Sequence, residues 1–224
     1  MRHGYTAQQI RDAEAPYLAA GEPLMARAAA ALADVVREVL VDRDAAPGRV
    51  LLLVGSGNNG GDALFAGASL ARDGLEVSIV ELGSRTHEEG LQAAADAGAR
   101  VLPDAVAAAG SADVIVDGIL GTGAAATPAL RGHAREVVAS LVPTLSGRDA
   151  AAVVAVDIPS GINPDDGSVP DPTVLPADVT VSFGGYKAGL LQGDAVRLAG
   201  EVRLIDIGIG DELAKMTPVV EVDG

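Results

Sequence analysis

The sequence has no cysteine, which excludes disulfides, thiolate metal sites and a cysteine nucleophile together. Aromatic residues make up only 2% of its 224 residues, and tryptophan is absent. Stacking platforms for single-stranded nucleic acid are therefore lacking. The 49% hydrophobic content must build its core from Val, Leu, Ile and Ala instead. Positive charge is scarce as well: 16 Lys and Arg face 31 Asp and Glu, for a formal net charge of -15. Such a balance repels phosphate backbones at long range and argues against DNA, RNA or an anionic membrane as the main partner. Neither an N-terminal apolar signal region nor a run of about 18 apolar residues occurs. The default reading is a soluble cytoplasmic protein. Nothing in the middle resembles a linker, so residues 1–224 read as a single domain.

What is present is mostly alternation. Thr6 to Ala20 reads as a helix, with Thr6 as N-cap and Gln9 at capping-box spacing. A second helix starts near Pro23, where Met25, Ala28, Leu32, Val35, Val36, Val39 and Leu40 recur with helical period. Neither helix carries obvious chemistry. From Arg49 onward strands and helices alternate, which predicts a parallel sheet covered on both faces, an α/β fold. The predicted strands are Val50–Val54, Glu76–Glu81, Val114–Asp117, Val153–Asp157, Val179–Phe183 and Val202–Asp206, with a short one at Arg100–Leu102. The predicted intervening helices are Gly61–Arg72, His87–Ala97 and Ala129–Leu141.

In such sheets ligands sit beyond the carboxyl ends of the strands. Unusual residues follow four of those ends: Gly55–Asp62, Asp117–Gly123, Asp157–Gly161 and Phe183–Lys187. Gly55, Gly57 and Gly60 satisfy the dinucleotide fingerprint, and Glu81 ends the next strand where a ribose hydroxyl would be bound, so an NAD(P)-dependent oxidoreductase is one reading. Against it, Asn58 and Asn59 fill the turn and Asp62 brings a carboxylate close to where pyrophosphate would rest; the bland reading of Asp62 is a helix N-cap. A P-loop fails, since Gly60 is followed by Gly61 and Asp62. Ser160 lacks the preceding glycine of a nucleophile elbow. His3, His87 and His133 all lie far in sequence from these loops and read as surface residues.

The oxygens of Asn59, Asp117 and Ser160 include one carboxylate, less charge than Ca²⁺ or Mg²⁺ sites usually gather. A monovalent ion such as K⁺ suits them better, though spacing alone leaves this open. Lys187 stands out because only two of the 16 basic residues are lysines, Lys187 and Lys215. A compact amine beside a strand end does what a guanidinium cannot.

Together these segments resemble the NAD(P)HX epimerases, the YjeF N-terminal domain family. The resemblance runs through Leu24-Met25, the Asn-Asn-Gly-Gly-Asp core of the first loop, Asp117–Gly123, Asp157–Gly161 and Thr180–Leu191. It implies a Rossmann-like three-layer αβα sandwich with two extra N-terminal helices, often homodimeric. The implied activity is interconversion of the R and S epimers of NADHX and NADPHX, nicotinamide cofactors hydrated at ring carbon 6. Asn58, Asn59, Gly60, Gly61 and Asp62 are then substrate-binding, as are Gly121, Thr122, Gly123, Ala124, Ala125, Ala126, Thr127 and Asp157. K⁺ falls to Asn59, Asp117 and Ser160, and catalysis to Asp157 acting with or through Lys187 to protonate the departing oxygen. The implied partner is a dehydratase, as a fused domain or a separate protein, that consumes the S epimer. Two departures stand out: Ala26-Arg27-Ala28-Ala29 replaces the family's Glu-Asn-Ala-Gly, and Ala63 replaces a glycine. A non-catalytic nucleotide-binding module remains the third reading, against which the retained Asp157, Lys187 and cation ligands count.

Overall fold

The computed structural model describes residues 1–124, 126–147 and 150–223. In chain order the elements are β1 (Arg2–Tyr5), α1 (Ala7–Ala19), α2 (Leu24–Asp42), β2 (Arg49–Val54), α3 (Asn58–Arg72), β3 (Glu76–Glu81), α4 (Glu88–Asp96), β4 (Arg100–Val101) and α5 (Ala105–Ala109). They continue with β5 (Val114–Gly118), α6 (Gly132–Leu141), β6 (Ala152–Val156), β7 (Val179–Phe183), β8 (Tyr186–Lys187), β9 (Glu201–Ile205), α7 (Gly210–Leu213) and β10 (Val220–Val222). Seven strands form one sheet in the order β4-β3-β2-β5-β6-β7-β9, and every pairing in it is parallel.

Period-two alternation explains the two covered faces. Val50, Leu52 and Val54 of β2 join the core beneath α1, α2 and α3, whereas Leu51 and Leu53 point into a second core under α5 and α6. That is why these strands are continuous apolar runs in the sequence. A third apolar cluster, with Ile158, Ile162, Val174 and Leu190, supports the long loops after β6 and β7. Among the described residues no helix is long and apolar enough to cross a membrane.

The sequence-predicted strands all form, within a residue or two of their expected bounds. Helix starts differ more. α3 begins at Asn58 rather than Gly61, because Gly57 is the extended N-cap and the glycine loop itself becomes the first helical turn. Asp62 therefore lies in the second turn, where it cannot cap. His87 caps α4 by accepting the Gly90 N–H on Nδ1 at 3.1 Å, and its ring meets Phe65 edge to face. It is a structural residue rather than a free surface one.

Sequence periodicity gives no warning of a second, three-stranded sheet in which β1 runs antiparallel to β10 and parallel to β8. Its strands have two to four residues, too short for a pattern, and they form through pairing between distant parts of the chain. Register places Tyr5 against Lys187, so the chain's first strand holds the segment bearing that lysine. The next residue begins α1 with the expected capping box: Gln9 N–H donates to Thr6 Oγ1 at 3.1 Å, and Thr6 N–H donates to Gln9 Oε1 at 2.9 Å.

Candidate active site

The sheet order reverses between β2 and β5, whose outgoing connections leave toward opposite edges and open a crevice at their carboxyl ends. Two glycines let its walls close up. A side chain at Gly55 would put its Cβ 1.8 Å from the Ile119 carbonyl oxygen, and one at Gly121 would lie 2.1 Å from Asn59 Oδ1. The resulting outer cleft, about 620 Å³, is bounded by Gly55–Asn59, Ile119–Ala124, Thr127 and Arg131, with Arg11 and Glu14 reaching in from α1. No side chain caps α3, whose first turn borders the cleft. Its leading N–H groups make that wall suited to an anionic ligand.

Beneath the cleft floor, Asp117 is wholly buried. Ser160 N–H donates to Asp117 Oδ2 at 2.9 Å, while the Ser160 hydroxyl donates to Oδ1 at 2.6 Å and accepts the Leu120 N–H at 2.8 Å. Burial raises the Asp117 pKa, and the hydrogen bonds from Ser160 act against that rise. Asn59 donates its amide to the Val156 carbonyl at 2.5 Å and the Leu120 carbonyl at 3.3 Å. Asn59, Asp117 and Ser160 thus meet through Leu120 in one oxygen-rich knot.

Asp157 follows β6 in an uncommon conformation, with φ at +68°. Ile158 N–H donates to the Val156 carbonyl across it at 2.8 Å, a tight three-residue turn of the strained kind. The turn is held by what its carboxylate meets: Oδ1 accepts the Phe183 N–H at 3.1 Å and the Lys187 ammonium. Lys187, 1% exposed, also donates to the Phe183 carbonyl at 2.9 Å and Ser182 Oγ at 3.3 Å. Its three donors are all used inside the protein. Lys187 therefore stands behind Asp157, fixing it, and Asp157 is the member of the pair that reaches solvent-accessible space.

That space is a smaller inner pocket of about 120 Å³, continuous with the outer cleft through Glu14, Asn58, Asn59 and Thr122, which line both. Leu18, Leu24, Met25, Phe183 and Ile207 make most of it apolar, and Asp62 and Asp157 supply its deep carboxylates. Asp62 is 6% exposed. Desolvation, then the nearby Asp157 and Glu14 carboxylates, push its pKa up to about 8, against a lowering by Lys187. Burial likewise raises Glu14. Among the described residues no three His, Asp or Glu side chains are grouped to hold a metal ion.

The expected site residues divide by position. Asn58, Asn59, Gly121, Thr122, Gly123, Ala124 and Thr127 line the outer cleft, while Asp62 and Asp157 line the inner pocket. Gly60 and Gly61 line neither: Gly60 abuts the Gly55 carbonyl, and Gly61 packs under His87. Ala126 is exposed in a turn away from both, and Ala125 lies outside the described residues. Glu81 is bonded to Thr86 and lines a neighbouring surface depression that shares Ser56 and Gly83 with the outer cleft. Sequence reasoning missed Arg11 and Glu14. One signal was available: Glu14 sits four residues after buried Ile10, a carboxylate on the edge of the apolar stripe of α1.

Comparison with known proteins places the chain in a family and a fold. The family described as YjeF-related protein N-terminus matches residues 21–189. A protein of Clavibacter michiganensis subsp. michiganensis named NAD(P)H-hydrate epimerase is 52% identical, over 97% of this chain and 94% of its own length. The Mycobacterium leprae protein named bifunctional NAD(P)H-hydrate repair enzyme Nnr is 40% identical over 93% of this chain, which spans 42% of that longer protein. The crystal structure of yeast ynu0 superposes with a TM-score of 0.75 at 19% identity, covering 91% of this chain and 87% of that one, and so shares the fold. The chain belongs to the YjeF-related N-terminal family.

Proposed function

We propose that the protein is an NAD(P)H-hydrate epimerase, an isomerase that interconverts the R and S forms of hydrated nicotinamide cofactors as a step in metabolite repair. The observation that carries this reading is the 52% identity to the Clavibacter epimerase across nearly the whole chain. The two-chambered site supports it: an outer cleft with helix N–H groups and Arg131 for the dinucleotide, and an inner apolar pocket of ring dimensions ending in carboxylates.

Carbon 6 of the substrate carries a hydroxyl beside a ring nitrogen, so it is a hemiaminal, and inversion requires a bond to break and re-form. In the water-loss route the C6–O bond breaks with the nitrogen lone pair supporting the cation, and water returns to the other face. In the ring-opening route the C6–N1 bond breaks to an aldehyde and recloses. Asp157, held by Lys187 and the Phe183 N–H, is the group in this reading that exchanges a proton with the C6 oxygen. Fixing it in a strained turn aims the carboxylate in advance, so positioning is a large part of what the fold contributes.

The donor set around Asp117 fits K⁺. It offers one carboxylate, the Ser160 hydroxyl and the Leu120 and Val156 carbonyls; Asn59 donates its amide N–H groups to both carbonyls here and would turn its oxygen toward a bound ion. Asn59, Asp117 and Ser160 would hold the ion, which supplies positive charge beneath the cleft floor. In the same reading the enzyme works as a homodimer and hands the S epimer to a dehydratase; the bifunctional name of the longer mycobacterial relative supports that pairing.

The test is to mix R-NADHX with this protein and a dehydratase specific for the S epimer, and to follow recovery of NADH. Acceleration over the uncatalysed rate is expected, and its absence defeats the assignment. Turnover in ¹⁸O-water tests the routes: no label at carbon 6 above the uncatalysed background eliminates water loss.

A further inference from the structure

We infer that Asp62 is the second proton-transfer group of this site, working as donor when Asp157 works as acceptor. The inference rests on the epimerase reading and deepens it.

Either chemical route needs two groups. In the water-loss route one group gives a proton to the C6 oxygen as the C6–O bond breaks and water departs, and another takes a proton from the water that adds to the opposite face. In the ring-opening route one group takes the C6 hydroxyl proton as C6=O forms, and another protonates N1 as the C6–N1 bond breaks. One donation and one acceptance occur in each, so the proton count closes on the enzyme. Lys187 does not supply the second group, because its three donors go to Asp157, Ser182 and Phe183.

Asp62 meets the requirement by position. It comes from α3 while Asp157 comes from the turn after β6, so the two carboxyls enter the inner pocket from separate walls. Among the described residues Asp62 accepts no hydrogen bond to its side chain. Every fully enclosed side-chain N or O atom of the described residues does have a partner, so the unbonded Asp62 oxygens face the pocket space. Asp157, by contrast, is committed as an acceptor to a cation and a backbone N–H. The charged groups around Asp62 are Asp157, Glu14 from α1 and Lys187 from β8, and burial with two neighbouring carboxylates keeps Asp62 in its protonated form near neutrality. A protonated carboxyl facing the pocket from one wall and a carboxylate fixed by a cation on another supply one proton donor and one acceptor. In the reverse reaction their roles exchange.

The experiment compares the intact wild-type chain with Asp62→Asn and Asp62→Glu, using R-NADHX as substrate and excess S-specific dehydratase as reporter. Asn preserves size and removes only the transferable proton. We expect kcat of Asp62→Asn to fall by about 100-fold or more, KM to stay within about threefold, the melting temperature to hold or rise, and Asp62→Glu to recover at least part of the lost kcat. The fall of wild-type kcat above pH 8, where the donor form is lost, should be absent from the residual activity of Asp62→Asn. A kcat within about threefold of wild type, or a loss confined to KM, overturns the inference and leaves Asp62 a binding residue. Wild-type protein that leaves R-NADHX unconverted overturns the epimerase reading, and this inference with it.

Discussion

Asp117 and Asp157 lie at the carboxyl ends of neighbouring strands, β5 and β6, two residues apart in register, yet they are surrounded differently. Asp117 is closed off, its oxygens bound by N–H groups of Ser160 and Ile119 and by the Ser160 hydroxyl. Asp157 meets a cation on one side and an open pocket on the other. A carboxylate whose partners are all neutral donors can organise loops and hold a cation; one with a fixed cation behind it and space in front can exchange protons with a ligand. The difference arises in the backbone after the strand. β5 runs on through Gly118 before its loop turns, so Asp117 stays inside the sheet, whereas β6 stops and Asp157 swings out through its positive φ.

The largest expected effect breaks the comparison at Asp157. Asp157→Asn keeps the shape and the Phe183 N–H contact but removes a group that takes up a proton, so kcat should drop by about 100- to 10,000-fold. Dinucleotide affinity, set by the outer cleft, should change little. Titration of the variant with R-NADHX, beside a turnover assay, separates the two quantities; equal losses in binding and turnover would merge the chambers into one.

Asp117→Asn comes next, with the opposite signature. If the knot holds K⁺, exchanging choline chloride for potassium chloride raises the melting temperature of the wild type by mass action, about 2.7 kcal/mol when the ion stands at 100 times its Kd. The variant should lose that response and show a raised KM, with kcat much less affected than in Asp157→Asn. A calorimetric scan in the two salts measures it.

How much of this was readable beforehand follows the same division. Strands buried on both faces must be apolar throughout, so Val50–Val54 and Val153–Val156 are plain in the sequence, and the loops behind them follow from the architecture. Asp117 and Asp157 were both visible as strand ends, but nothing local distinguishes them: the left-handed turn at Asp157 is imposed by Lys187, 30 residues further on, and by β7. The small sheet that carries Lys187 depends on pairing between the two ends of the chain. Glu14 and Asp62 were hard to place for another reason, since a helix puts a residue on its inner or outer face only once its neighbours are known.

Asp62 adds, beside its effect on rate, a third and smaller effect on stability. Its folded pKa of about 8 exceeds the ordinary value of 3.8. The group therefore favours folding below about pH 4, progressively less as pH rises, and that contribution is fully lost once pH passes about 8. Asp62→Asn has no such group to ionise. The stability of the variant relative to wild type should increase from pH 5 to pH 9, and urea unfolding at both pH values checks the sign. Parallel curves would mean that Asp62 ionises in the folded protein as freely as in water.

The smallest expected effect concerns the cover over both chambers. Arg11 and Glu14 reach the site from α1, which is fixed at its start by the Thr6–Gln9 box and by Ala7 N–H donating to Asp165 Oδ1 at 2.6 Å. Thr6→Ala removes the hydroxyl that accepts the Gln9 N–H and donates to Gln9 Oε1, and should cost about 1 kcal/mol of stability. In a chain of this size that is a shift of roughly 2–4 °C in melting temperature. Ile10 and Ala13 remain buried against the core, so the helix should stay in place and fray only at its first turn. KM should then rise less than threefold and kcat should be unchanged. A fall in kcat as large as that of Asp157→Asn would place α1 within the catalytic wall, and the contrast between Asp117 and Asp157 would need a third member.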